Sequence, residues 1–262
     1  MGCSLARGLI AHGWKPDQIS LCESHQPRHD ELNQLFPDSR VISSADTCQH
    51  QPAAIILAVK PHDLPDTCRY LGTCGFDSHT LYISIAAGAP IASIKQWLGS
   101  DTEIIRCMPN TPASIGMGMT GLYANKNTSS EHKALADSLL KAVGKTVWVE
   151  SEQQLDAITA LSGSGPAYLF YLMECIQSAG QEIGLNKEDC YQLTLQTVLG
   201  AAQLAQQQEE SFDTLRKNVT SKGGTTEHAI TSLENHHFRQ AVSDAIHAAF
   251  ERAGAISKSF ED

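Results

Sequence analysis

The amino-acid pattern predicts an α/β fold, a doubly wound parallel sheet followed by an all-helical half. Up to about residue 150, short β-rich runs alternate with helix-like segments; beyond it, apolar residues recur at spacings of three and four. The strands are expected at residues 19–22 (ISLC), 54–59 (AIILAV), 81–85 (LYISI), 103–107 (EIIRC) and 145–149 (KTVWV). The run at 54–59 is apolar at every position, as a strand covered by helices on both faces must be, and such strands belong to parallel sheets. The change of period divides the chain into one unit over residues 1–150 and a second over 151–262.

The helices of the second half follow in order. Pro166, after Ser162-Gly163-Ser164-Gly165, stands where a helix starts, because its missing N–H is not needed in the first turn. Leu169, Leu172, Met173, Ile176, Gly180 and Ile183 then share a stripe until Gly184 closes the segment. A second helix starts near Asn186, with Asp189 three residues on, and carries Leu193, Val198, Ala202 and Ala205. The last places Phe238, Val242, Ile246, Ala249, Ala253 and Ile256 along one side. These stripes are rich in Ala and poor in aromatics, so the half is expected to bury its faces against a second copy of the chain.

Candidate ligand sites lie in two places. The stretch LRKNVTSKGGTTEHAITSLE, Leu215 to Glu234, sets two glycines and three hydroxyls at the start of an amphipathic helix pattern. A helix N-terminus offers unpaired N–H groups and the positive end of a dipole, so Gly223, Gly224, Thr225 and Thr226 form a cradle suited to a carboxylate or phosphate, with Ser221 adding a hydroxyl. An ordinary helix cap is the alternative reading. The second place is the row of strand ends, where open α/β sheets bind their ligands. They carry Lys60-Pro61-His62, Ala86-Ala87-Gly88-Ala89-Pro90 and Met108-Pro109-Asn110-Thr111-Pro112. Small residues and prolines make flat, rigid loops over which a planar ring can lie; one such loop is a turn, and three point to a cofactor crevice.

Composition narrows the function classes. A net charge of −10 and a pI near 5.5, without a Lys/Arg run, argue against a nucleic-acid partner. No apolar run approaches the roughly 18 residues a membrane span needs, and the N-terminus lacks a signal-peptide layout, so a cytoplasmic protein is expected. The eight cysteines form no C-x-x-C and are expected to be reduced, mostly buried and not metal ligands. The eleven histidines show no ligand spacing with a third partner, and no metal is expected.

The motifs Ala58-Val59-Lys60-Pro61, Ser84 to Gly88, Arg106 to Pro112, Ser162 to Tyr168 and Asn218 to Thr226 together resemble pyrroline-5-carboxylate reductases, in order and over nearly the whole chain. The resemblance implies a Rossmann-like domain followed by a helical dimerisation domain. It implies reduction of the cyclic imine 1-pyrroline-5-carboxylate to L-proline, the last step of proline biosynthesis, with NADPH or NADH. Asn218, Ser221, Gly223, Gly224, Thr225 and Thr226 would hold the substrate at the dimer interface, the glycine-turn amides on its carboxylate and the Thr226 hydroxyl on its ring nitrogen. Ala58, Val59, Lys60, Pro61, Ala86, Ala87 and Gly88 would line the nicotinamide and ribose, with Asn110 and Thr111 beside the same crevice and Gly2 and Cys3 at the pyrophosphate. Thr226, Ser221 and Lys60 are the candidate catalytic residues, Lys60 either polarising the site or touching only cofactor. A protonated imine is already an electrophile, so positioning supplies much of the acceleration and no strong general acid is required.

Three features modify this picture. Met1-Gly2 falls at the end of the family's G-x-G-N-M-G motif, so the first strand and first two glycines, about ten residues, are expected to be missing from this sequence. A start codon assigned too far downstream, a natural truncation that keeps the dimer, and a myristoylated Met-Gly-Cys opening are the readings; Ala6 stands where the last requires Ser or Thr. Second, Glu23 suits the ribose hydroxyls of NAD, whereas Ser24, His25 and Arg28 suit the 2′-phosphate of NADP; the balance favours NADPH, with NADH the other candidate. Third, a silent dimerisation module and a β-hydroxyacid dehydrogenase are the competing functions. The dehydrogenase needs a lysine that Ser162 to Tyr168 does not supply.

Overall fold

A computed structural model describes residues 1–48, 50–99 and 101–260. The chain forms two compact units, Met1–Ser164 with Ala249–Asp262, and Gly165–Ala248. In chain order the elements are α1 (Gly2–Ala11), β1 (Ser20–Cys22), α2 (Pro27–Leu35), β2 (Arg40–Ile42), β3 (Ala54–Leu57), α3 (Leu64–Thr73), β4 (Leu81–Ser84), α4 (Ile91–Leu98), β5 (Ile104–Met108), β6 (Gly118–Ala124), α5 (Ser130–Lys141), β7 (Gly144–Trp148) and α6 (Glu152–Ile158). A π-helical turn, Thr159–Gly163, leads to α7 (Gly165–Glu182), α8 (Lys187–Gln208), α9 (Phe212–Asn218), α10 (Thr225–Asn235) and α11 (Phe238–Lys258).

Five strands form one sheet in the order β3-β4-β5-β6-β7. β3, β4 and β5 run parallel, so their carboxyl ends share one edge. The expected all-parallel sheet is corrected at β6, which pairs antiparallel with β5, and β7 runs parallel to β6. The reason is covalent: the link from Met108 to Gly118 is shorter than the dozen or so residues a crossover needs, and it turns back through a 3-10 segment with Gly116 at φ 72°. β1 and β2 pair parallel as a separate two-stranded sheet. Among the described residues β1 and β3 each have a single ladder partner.

The strands read with period two, and each face feeds its own core. Leu81, Ile83, Ile105, Cys107 and Leu122 pack with Leu5 and Leu9 of α1 and Leu139 and Leu140 of α5. Tyr82 and Ile104, pointing the other way, pack with Leu64, Cys68 and Leu71 of α3 and Ile94 and Leu98 of α4. This is the two-faced cover that the apolar strand runs require. α6, although beyond residue 150, packs against β5 and β6.

The helices start where their caps allow. Ser129, Ser151, Asn186 and Ser211 each accept a hydrogen bond from the backbone N–H three residues on. The unit of residues 165–248 has almost no interior: among its described residues Cys190 and Thr194 alone are buried, while Tyr171 is 69% and Phe212 83% exposed. The cysteine expectation is corrected in part. All eight are free, but Cys68, Cys107 and Cys190 alone are buried, and burial pushes the Cys68 thiol up to about 12. Cys22 and Cys175 lie on the surface because their strand and helix positions face outward.

Candidate active site

The strand ends assemble as the sequence predicts. β3, β4 and β5 deliver the segments beginning at Ala58, Ile85 and Pro109 to the same edge. Ala58 and Lys60 are exposed there, Val59, Pro61 and Ala87 half-buried, and Ala86 and Gly88 buried. Ala87 is therefore the member of that trio with the most open surface. The Lys60 ammonium forms no ion pair among the described residues.

The N-terminus of α1 meets this edge. A Cβ added to Gly2 would stand 3.2 Å from the Ala58 Cβ, so helix start and strand end touch. The first backbone bond of α1 runs from Leu5 N to Met1 O, and no side chain caps the helix. The amides of Gly2, Cys3 and Ser4 therefore lack an intrahelical acceptor at the positive end of the dipole, next to a strand-end loop of small residues. That donor set fits the diphosphate of a dinucleotide.

Past the end of β1, Ser24 and Arg28 are exposed, and Arg28 makes only a long surface pair with Glu31, 3.8 Å. The Glu23 carboxylate accepts from the His25 amide at 2.9 Å, and the Glu23 carbonyl contacts the His29 ring at 2.6 Å. Part of the Glu23 acceptor capacity is thus used in folding its own turn.

Asn110 is placed beside the crevice, but both ends of its side chain are engaged. Its Nδ2 donates to the Ser162 carbonyl at 3.1 Å and its Oδ1 accepts from the Met119 amide at 2.9 Å. It braces the end of β5 against β6 and the π-helical turn. Sequence reasoning missed this strut, as it missed the ion pair of Arg106 with Glu152 at 2.7 Å. Glu152 also accepts from the Ile91 amide at 2.9 Å, holding the start of α4. Nearby, burial raises the Asp156 carboxyl above its ordinary value although the Ser257 hydroxyl and Arg106 oppose the shift.

The other candidate residues lie together in the unit of residues 165–248. Asn218 ends α9, and the chain turns through Gly223, at φ 73°, to Gly224, which caps α10 without a side-chain bond. A positive φ of this size suits glycine alone at low strain. The Gly223 amide donates to the Glu227 carboxylate at 2.6 Å and the Gly224 amide to the Ser221 carbonyl at 3.0 Å. Asn218 Nδ2 donates to Glu210 at 3.2 Å. The first helical bond runs from His228 N to Gly224 O, which leaves the amides of Thr225, Thr226 and Glu227 as the free donors of the turn. Glu227 was legible in principle: a Glu three residues past a helix cap is the capping-box spacing.

Among the described residues no group of three or more His, Cys, Asp or Glu side chains gathers as a metal site, and no helix is long and apolar enough to cross a membrane.

Comparison with known proteins is consistent from end to end. Residues 152–256 match the family described as pyrroline-5-carboxylate reductase dimerisation, and residues 1–88 match the family described as NADP oxidoreductase coenzyme F420-dependent. The pyrroline-5-carboxylate reductase of Pseudomonas aeruginosa is 40% identical over 258 residues, 98% of this chain and 94% of that protein. Among solved structures, a pyrroline-5-carboxylate reductase from Coxiella burnetii superposes with a TM-score of 0.91 at 40% identity, covering 98% of this chain and 94% of that one. The Plasmodium falciparum pyrroline carboxylate reductase with NADP bound has a TM-score of 0.85 at 28% identity, with the same coverage.

Proposed function

The chain belongs to the pyrroline-5-carboxylate reductase family, and we propose on that premise how its own residues carry out the reduction. The enzyme is an NAD(P)H-dependent oxidoreductase that converts the C=N bond of 1-pyrroline-5-carboxylate to the C–N bond of L-proline, and it works as a homo-oligomer through its helical half.

The observation that carries the site assignment is that each of the two units has one candidate helix start without a side-chain cap, in different surroundings. At α1, free amides border small residues at the ends of three parallel strands, which suits a dinucleotide. At α10, free amides border two threonine hydroxyls, which suits a small carboxylate carrying a neighbouring polar atom. When bound, the reduced nicotinamide supplies the hydride. Ala58 to Pro61 and Ala86 to Gly88 form the surface on which its ring rests, and the amides of Gly2 and Cys3 hold the diphosphate. Ser24 and Arg28 take the 2′-phosphate, which makes NADPH the preferred cofactor, and Lys60 adds positive charge at the crevice rim.

The amides of Thr225 and Thr226 bind the substrate carboxylate, with Ser221 and Asn218 beside it. Gly223 and Gly224 shape the turn through their bonds to Glu227 and Ser221. The protonated ring nitrogen donates its N–H to the Thr226 hydroxyl oxygen, which fixes the orientation of the imine carbon. No side chain need deliver a proton, since the imine enters protonated and leaves as the amine. Residues 1–150, with the end of α11 packed on them, thus serve the cofactor, and the remainder of 151–262 serves substrate and assembly, in the cytoplasm.

Purified chain mixed with 1-pyrroline-5-carboxylate and NADPH should consume NADPH and release proline in equal amounts. Absence of both, with the oligomer intact, would leave the silent dimerisation module as the better reading.

A further inference from the structure

The loop between β4 and α4 is held by packing rather than by backbone donors of its own. Among the described residues no backbone hydrogen bond is donated by Ala86, Ala87, Gly88 or Ala89; the sheet ladder stops with Ile85 N donating to Leu57 O. Side chains of one carbon or none give such a segment little to pack with. Yet Ala86 and Gly88 are buried. The far end of the chain lies against Gly88, while Ala86 packs in the core with Leu57, Ala89 and Ile91.

Gly88 sits at φ 91°, and a Cβ built on it would stand 2.5 Å from Ile256 Cγ2 and 3.4 Å from the Phe260 ring. Ile256 therefore lies directly on the Gly88 backbone, where any other residue would collide with it. The next turn is pinned to α4: Ser93 Oγ donates to the Phe260 carbonyl at 2.9 Å, and the Phe260 ring meets Trp97 edge-on at 5.8 Å. Ser257 Oγ donates to Asp156 at 3.2 Å, tying the same helix end to α6. Three of these contacts from residues 256–260, in different chemistries, converge on one loop and the helix it enters, and the fourth ties the same chain end to α6.

We propose that Ile256 and Phe260 are positioning residues for hydride transfer, clamping the Ala86–Gly88 loop against which the nicotinamide rests. The proposal depends on the reading of that loop as the nicotinamide surface. Its physical basis is that hydride transfer needs the reacting carbons in near-attack separation, and a displacement of about 1 Å far from the chemistry can cost about a hundredfold in rate. A loop without ladder bonds takes its position from what packs on it, and at Gly88, which has no side chain, that is Ile256. Ile256 thereby acts on kcat through Gly88, without touching the substrate.

The test uses the full chain with Ile256→Ala, Phe260→Leu and Ser257→Ala. Each is measured for kcat, KM for 1-pyrroline-5-carboxylate, NADPH affinity, melting temperature, and the isotope effect with NADPH deuterated at the transferred hydride. Ile256→Ala should lower kcat about tenfold and raise the isotope effect, as the hydride step becomes rate-limiting, with the imine KM within about twofold. Phe260→Leu should do the same more weakly, and Ser257→Ala least. Folded variants that keep the wild-type isotope effect and kcat overturn the clamp, even if their melting temperatures fall, because packing alone would then explain the contacts. If Ile256→Ala does not fold, Phe260→Leu and Ser257→Ala decide by the same readout. A wild-type chain that does not oxidise NADPH overturns the functional reading instead, so the two failures are distinct.

Discussion

In the proposed site Thr226 concentrates two roles in one residue, an amide for the substrate carboxylate and a hydroxyl for its ring nitrogen. The backbone part survives substitution and the hydroxyl does not. Thr226→Ala should therefore lower kcat/KM for the imine by about 10- to 100-fold, the equivalent of one hydrogen bond to a charged group at roughly 1.5–3 kcal/mol, while NADPH affinity stays within about twofold. Thr226→Ser, which keeps the hydroxyl, should restore most of the loss. Steady-state kinetics on the two variants checks this, and equal losses in both would take the hydroxyl out of the site. Which residues gather in the two helix starts was legible from Gly223, Gly224 and the small residues at the strand ends. How they divide the work was legible only in part: Gly223 and Gly224 spend their amides inside the turn, the first on Glu227, which stands at capping-box spacing, the second on the Ser221 carbonyl, which comes within reach only once the turn has formed. Asn110 is a similar case, a polar side chain beside the crevice whose amide is used to brace β5.

Element by element, capping decides where the helices begin, and one cap reaches across the fold. The N-terminus of α5 is closed by Glu103, at the start of β5, whose Oε2 accepts from the Ser129 amide at 2.8 Å, the Ser129 hydroxyl at 3.1 Å and His132 Nδ1 at 2.8 Å. Burial raises this carboxyl, but those donors outweigh it and the group lies below its ordinary 4.5. A folded-state value below the unfolded one means that the stabilisation is complete above the unfolded pKa and is lost as pH falls through the folded one. Glu103→Gln should cost about 1–3 kcal/mol near neutral pH. The gap between wild type and variant should close below about pH 4.5, which thermal melts at several pH values will show. A gap that persists at low pH would mean that the amide of Gln repacks badly and that charge is not the cause. The run at 103–107 gave a strand and nothing of this cap, because Ser129 lies 26 residues on, beyond both β5 and β6. β6 was missed for a related reason: Gly118 to Ala124 mixes glycine, Met and Thr without a clear period, and its direction follows from the short link before it.

At the scale of the whole molecule, the helical unit displays apolar side chains that a lone chain leaves in water. Leu195 and Leu199, one turn apart on α8, are 42% and 47% exposed, and Leu169, Tyr171 and Leu193 are more so. Covering side chains of this size contributes roughly 1.5–3 kcal/mol each. A second copy of the chain supplies the cover, in keeping with the dimerisation family that residues 152–256 match. Light scattering should report at least a dimer, and Asp at both Leu195 and Leu199 should shift the mass toward the monomer while the sheet unit keeps its fold. An unchanged mass would place the interface on another helix face.

The sequence by itself determined the α/β class, most strands within a residue or two and the starts of α8 and α11, and its motifs name the residues from which both sites are proposed. Those features depend on neighbours: side-chain period, a cap three residues ahead, a glycine where φ is positive. Only the tertiary structure decided that β6 turns back on β5, that Glu103 caps α5, that Arg106 pairs with Glu152, and that Ile256 presses on Gly88. Each of these joins groups whose meeting depends on how the backbone folds, and local propensity carries no record of which distant group will arrive.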